Sequence, residues 1–234
     1  MQTMGIAKQH VVYYQLQAHE REVIYIPMHH IGTKIFYDRV RKLVQKYQSE
    51  GYMVYYESIA YQLTDSLTRD QYDRKYRYLT GAHPAFQKAL TADSSASQKQ
   101  DSVRNYLGKP GIIYQPSYKQ LGVFLPKAYR ADIPKTALID AFERTYGTIS
   151  LPACDSLTAL SEAYSCDGAP AKVRKIFDQQ FVMALRDAHL AQQILELKEP
   201  KVLIIYGKAH YKNFVKLLKQ QDANWVQKQL LSKN

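Results

Sequence analysis

The sequence predicts an α/β fold, a mixed β-sheet flanked by helices, built from two similar βα halves with a helical middle region. Three observations carry this expectation. VVYYQLQAHEREVIYIPM, residues 11–28, places two runs rich in β-branched and aromatic residues around a polar turn, as a hairpin does. KVLIIYG, residues 201–207, is a short continuous apolar run, the mark of a strand buried on both faces. Both strand regions then meet a histidine-bearing corner and a helical pattern, at IPMHHIGTK and at YGKAHYK.

The remaining elements follow in order. From about Lys34 to Gln48, the residues Ile35, Phe36, Val40, Leu43, Val44 and Tyr47 recur at helical spacing, with basic residues on the other face. Gly51 ends that helix, and YMVYYE is a short buried strand closed by Glu57. Strand, corner, helix and strand make a βαβ unit. RDQYDRKYRYLTGA, from Arg69, reads as helix, and GIIYQPSYKQLGVFL is mixed. Residues 91–102, TADSSASQKQDS, are polar and low in bulk, which predicts a mobile loop. ADIPKTALIDAFERTYG reads as a helix with Pro134 in its first turn and Gly147 after its end. LPACDSLTALSEAYSC holds another short helix. From Ala171 to Leu197, Val173, Phe177, Phe181, Leu185, Ala188, Ile194 and Leu195 trace one face of a long amphipathic helix. YKNFVKLLKQ makes the last helix, and NWVQKQLL adds a final strand.

At 234 residues the chain suffices for one domain, 1–234, with a substantial core. Tyrosine is over-represented, with 20 copies, first of all a packing statement, since such rings bury an apolar body while keeping a hydroxyl wet. The net charge of +11 suits anionic partners. The lysines and arginines are nonetheless spread along the chain without a nucleic-acid-binding signature, so no specific nucleic-acid partner is expected. No run of about 18 apolar residues occurs, which argues against a transmembrane helix. The N-terminal MQTMGIAKQH lacks an apolar leader. That reads as cytoplasmic for the chain as written, and as secreted or periplasmic if a signal peptide was removed. Cys154 and Cys166 lie twelve apart without a metal-type CxxC, leaving a disulfide, a pair of buried thiols and unrelated positions all open.

A repeat then organises the functional candidates. Val23 to His30 and Leu203 to His210 both run seven positions from early strand to a corner histidine. Collecting the polar groups at the predicted strand ends gives His30, with its neighbour His29, then Glu57 and His210. Parallel neighbouring strands would bring these to one crevice, where open α/β sheets bind ligands. Two imidazoles and a carboxylate are a first shell for a divalent metal with open positions, and equally a general acid and base without any metal. The structural alternative is polar residues capping helix starts.

These residues resemble a known family. The HIGT corner, Glu57 in VYYES, the arginine-bearing MALRDAHL and the late strand ending in Gly207-Lys208-Ala209-His210 look like the Tiki/TraB superfamily. Its relatives include pheromone-shutdown TraB proteins, GumN-like proteins, erythromycin esterases and ChaN-like haem-binding proteins. The hallmark is two GxxH-type motifs plus a glutamate on an α/β fold of two similar halves. Glu57 matches the acidic residue, and Arg186-Asp187 resembles the Arg-Asn/Asp step before the last GxxH strand. Ala131-Asp132 is similar to an Ala-Asp pair of some members. At the first motif Pro27 stands where the family has glycine, with His30 as the anchor.

The resemblance implies a hydrolase of ester or amide bonds, in its metal-dependent form a protease, acting on a peptide or a small-molecule ester. It implies a divalent metal, of unspecified identity, on His30, Glu57 and His210. Without a metal, a histidine or Glu57 would take the proton from water, and Arg186 would offset the developing negative charge. A second reading, suggested by the tyrosines and the altered first motif, is a non-catalytic protein that binds haem or iron. A third is an interaction protein that meets an acidic partner through its basic surface.

Overall fold

The computed structural model describes residues 10–59, 65–81, 111–162 and 164–232, so the loop expected at 91–102 lies outside the described residues. The chain is α/β. A six-stranded mixed sheet runs in the order β6 (Ala128–Arg130), β4 (Met53–Tyr56), β7 (Lys201–Gly207), β2 (Arg21–Met28), β1 (Val12–Ala18) and β8 (Val226–Leu231), and β3 (Ile31–Thr33) and β5 (Ile112–Tyr114) form a two-stranded sheet. Two compact units emerge: Met1–Glu57, Ala89–Ala131 and Ala191–Asn234 make the first, and Ser58–Lys88 with Asp132–Leu190 the second.

In the first unit, β1 (Val12–Ala18) and β2 (Arg21–Met28) form the expected antiparallel hairpin, turned through His19 at φ 54°. The corner that follows is more structured than its sequence suggests. Ile31–Thr33 is a short strand, β3, antiparallel to β5 (Ile112–Tyr114). Helix α1 (Lys34–Ser49) then starts because Thr33 caps it, its hydroxyl accepting from the Phe36 amide at 3.0 Å. Strand β4 (Met53–Tyr56) returns beside β7 (Lys201–Gly207), which in turn pairs with β2, all three parallel. Helix α1 buries Phe36, Val40 and Val44 against Ile24, Ile26, Leu203 and Ile205. Tyr25 points to the opposite face, its ring against Tyr211 and Phe214 of the last helix. The central strands are thus covered on both sides, which is why they read as continuous apolar runs. Strand β6 (Ala128–Arg130) edges the sheet next to β4, and β8 (Val226–Leu231) edges it next to β1.

Pro27 sits inside β2 and has no N–H to donate. The antiparallel ladder with β1 ends at the pair Tyr14 and Tyr25, before Pro27 is reached, so that missing donor breaks no rung of it.

The second unit is helical. It contains α2 (Ser66–Thr80), α3 (Lys135–Tyr146), α4 (Ala153–Leu157) and α5 (Ala171–Ile176). Asp65 caps α2, accepting from the Thr68 amide at 2.7 Å, and Gly81 ends it in the left-handed region at φ 68°. Pro134 occupies the N-cap of α3 rather than its first turn. The helix expected from Ala171 onward is continuous but not uniform. After α5 it widens into a π-helical stretch, Phe177–Leu185, before α6 (Arg186–Glu196). Phe177 and Phe181 both lie on Phe142, with ring centroids 5.6 and 5.4 Å away, at the centre of this unit's core.

Cys154 and Cys166 form a disulfide, with Cα atoms 5.8 Å apart. The carbonyls at the end of α4 are gathered by two guanidinium groups. Arg77 donates to Asp155, Thr158 and Ala159, while Arg74 donates to Asp155, Ser156 and Thr158. None of the described helices is long and apolar enough to cross a membrane.

Candidate functional site

Strands β4 and β7 are parallel neighbours, and the chain beyond their carboxyl ends supplies Glu57 and the Gly207–His210 corner. The Glu57 amide donates to the Ile205 carbonyl at 3.0 Å, carrying the ladder one residue past β4. Its carboxylate turns onto the partner strand, where Oε2 accepts the Gly207 N–H at 2.7 Å. The Gly207 carbonyl accepts from the Tyr25 hydroxyl at 2.9 Å. Both polar groups of that residue are therefore held by side chains.

Lys208–His210 forms a single 3-10 turn that leads into α7 (Tyr211–Gln221). His210 is buried, and its ring stands edge-on to Tyr206 with centroids 5.0 Å apart. Tyr211 is buried among Tyr14 and Tyr25, and desolvation holds its phenol well above the usual tyrosine range.

The geometry gives a specific reason for glycine at position 207. Its φ of −54° and ψ of 136° suit any residue, so backbone freedom is not the requirement. Space is. A Cβ there would lie 3.0 Å from Glu57 Oε2 and 3.2 Å from His210 Cδ2, so both side chains close on one point. Gly207→Ala is expected to lower stability by about 1 kcal/mol. Crowding costs roughly 1–3 kcal/mol, offset by about 0.4–1 kcal/mol from the stiffer unfolded chain. Denaturant titration measures this, and a variant as stable as the parent would remove the spatial argument.

The other sequence candidates lie at the first corner and in the second unit. Met28, not Pro27, pairs with Gly207 in the parallel register, so the two corners are offset by one residue relative to the sequence repeat. His30 is exposed in the link between β2 and β3, and its carbonyl accepts from the Gln115 amide at 2.9 Å. His29 is half-buried, its ring against Phe36 and its carbonyl accepting from the Tyr37 hydroxyl at 2.7 Å. Arg186 belongs to the second unit. Its Nε and Nη2 donate to the two carboxylate oxygens of Asp132, both at 2.7 Å, in a buried fork.

Among the described residues, no group of three or more His, Cys, Asp or Glu side chains comes together in a way that would hold a metal ion. The set His30, Glu57 and His210 therefore does not fit the divalent ion that the resemblance implies. A carboxylate and an imidazole that both face Gly207 can each take up or give a proton. Sequence reasoning missed Tyr25 as the anchor of the Gly207 carbonyl. Strand alternation puts its ring on the α7 face, but the pairing register that delivers its hydroxyl to Gly207 is not local information.

No family model, no curated protein and no solved structure matches the chain.

Proposed function

We propose that this protein is a hydrolase of ester or amide bonds, of the Tiki/TraB kind that its motifs resemble, with Glu57 and His210 as the acid–base pair. The observation that carries the reading is their meeting at Gly207, beyond the carboxyl ends of two adjacent parallel strands. That is where α/β sheets present ligands. Glu57 takes a proton from the attacking water as its oxygen bonds to the substrate carbonyl carbon. His210 gives a proton to the leaving alcohol or amine as the carbon–heteroatom bond breaks. Transfer of the proton from Glu57 to His210 then restores the starting state, so one water is consumed for each bond cleaved. The substrate is a peptide or a small-molecule ester. The Cys154–Cys166 disulfide favours an oxidising compartment, secreted or periplasmic, over the cytoplasm.

The test is turnover of a panel of aryl esters and fluorogenic peptides by the full chain and by His210→Ala. General acid catalysis is worth about 10²–10⁴-fold, and a loss of that size is expected. Circular dichroism should show the fold retained. No hydrolysis of any panel member by the parent chain, or full activity in a folded His210→Ala variant, would refute the assignment.

A further inference from the structure

The first histidine corner, which the Glu57–His210 pair leaves unused, borders a cavity of about 200 Å³. Its walls include His10, Tyr14, Pro27, His29, Lys208 and Gln229. Pro27 and Lys208 bring it to the carboxyl ends of β2 and β7, which are parallel neighbours. We propose that this cavity binds a small oxyanion, a phosphate or a carboxylate.

Four observations carry the proposal. First, the described residues that line the cavity offer donors and a cation but no carboxylate. Lys208 brings an ammonium, the two histidines bring imidazoles, and Gln229 and Tyr14 bring an amide and a hydroxyl. Second, the imidazoles are held. The Arg39 guanidinium sits 2.9 Å from His10 Nδ1 and can only donate, so that nitrogen accepts and the ring proton is on Nε2. His29 is fixed by Tyr37 at its carbonyl and by Phe36 at its ring. Tyr14 is stacked on Tyr211, with centroids 3.8 Å apart and planes 14° from parallel. Side chains fixed in this way lose little entropy when an anion enters. Third, the size selects the ligand. Cavities that swallow a drug-sized molecule run to roughly 300–1,000 Å³, so this one takes a single functional group. Fourth, the net charge of +11 draws anions toward the surface as a whole.

Lys208 lies inside the Gly207–His210 corner, between the residue that anchors Glu57 and the proposed acid. The anion site nevertheless stands apart from the hydrolase reading, because its test measures binding and not turnover. Inorganic phosphate and acetate would each be titrated into the full chain at constant ionic strength, balanced with chloride. The backbone amide resonances of residues 207 and 208 report the site, and calorimetry reports affinity. The expected result is a saturable shift confined to these residues and their neighbours. Saturation by phosphate alone assigns a phosphate group, and saturation by acetate as well, or by acetate alone, assigns a carboxylate. Lys208→Glu changes an exposed side chain, so its thermal transition should stay put. It should weaken binding by about tenfold or more, as loss of one charge-assisted contact does. His10→Ala, also at an exposed position, should weaken it in the same direction. Shifts that rise linearly and spread over the whole chain would overturn the site. So would undiminished affinity in Lys208→Glu.

Discussion

Glu57→Gln should lower kcat by about 10²–10⁴-fold, because the amide keeps the shape of the carboxylate but accepts no proton from water. The substitution separates structure from chemistry. A glutamine carbonyl oxygen can still accept the Gly207 N–H that Glu57 Oε2 holds at 2.7 Å, so the anchoring of β7 survives. The cost to folding is the difference between a charged and a neutral acceptor, roughly 1 kcal/mol. Steady-state kinetics on the best ester of the panel, with a thermal melt of the same sample, measures both quantities. An unchanged kcat with an unchanged melt would leave Glu57 as a strand-end anchor only. A fall in KM without a fall in kcat would likewise remove it from the proton-transfer step.

Asp132→Ala is expected to lower stability by about 3–5 kcal/mol, the usual penalty for stripping one partner from a buried ion pair. The Asp132 and Arg186 side chains are 0% and 4% exposed, and two parallel N–H···O contacts of 2.7 Å join them. Removing the carboxylate takes the bidentate acceptor away from a guanidinium that lies out of water. The pair itself is worth much less than that penalty, since its Coulomb gain is set against the desolvation of two charges. The double variant Asp132→Ala with Arg186→Met should therefore recover much of the loss. Urea titrations followed by circular dichroism would check both variants. A single variant within about 0.5 kcal/mol of the parent would show that water reaches the guanidinium.

The extent to which the sequence announces this molecule differs from element to element. The hairpin of β1 and β2, helix α1, strand β7 and helix α7 each carry a strong period of their own, and all four form where the pattern places them. Thr33 and Gly51 mark the two ends of α1 for reasons confined to a few residues: a hydroxyl that caps, and a φ of 84° that glycine tolerates. Strand β3 was not legible, because three residues acquire strand character only from the partner β5. The π-helical stretch was not legible either. Its apolar spacing passes for an ordinary helix, since Phe177 and Phe181, both on Phe142, stand one helical turn apart.

The candidate site divides in the same way. By itself the sequence determined which polar residues follow the ends of strands. Local periodicity fixes where a strand stops, and a strand end projects polar side chains whatever its neighbours are. Only the tertiary structure decided which ends meet. The register of β2 on β7 sets Met28 opposite Gly207, so the two corners lie one residue out of step. The second corner gathers Glu57 and His210 at a glycine that leaves room for them, while the first turns His29 toward a cavity and leaves His30 exposed. The fork of Arg186 on Asp132 and the bond between Cys154 and Cys166 were settled at the same level. Such pairings join side chains 12 and 54 residues apart in the chain, and they follow from how whole strands and helices bury their apolar faces against one another. No window of a few residues contains that information.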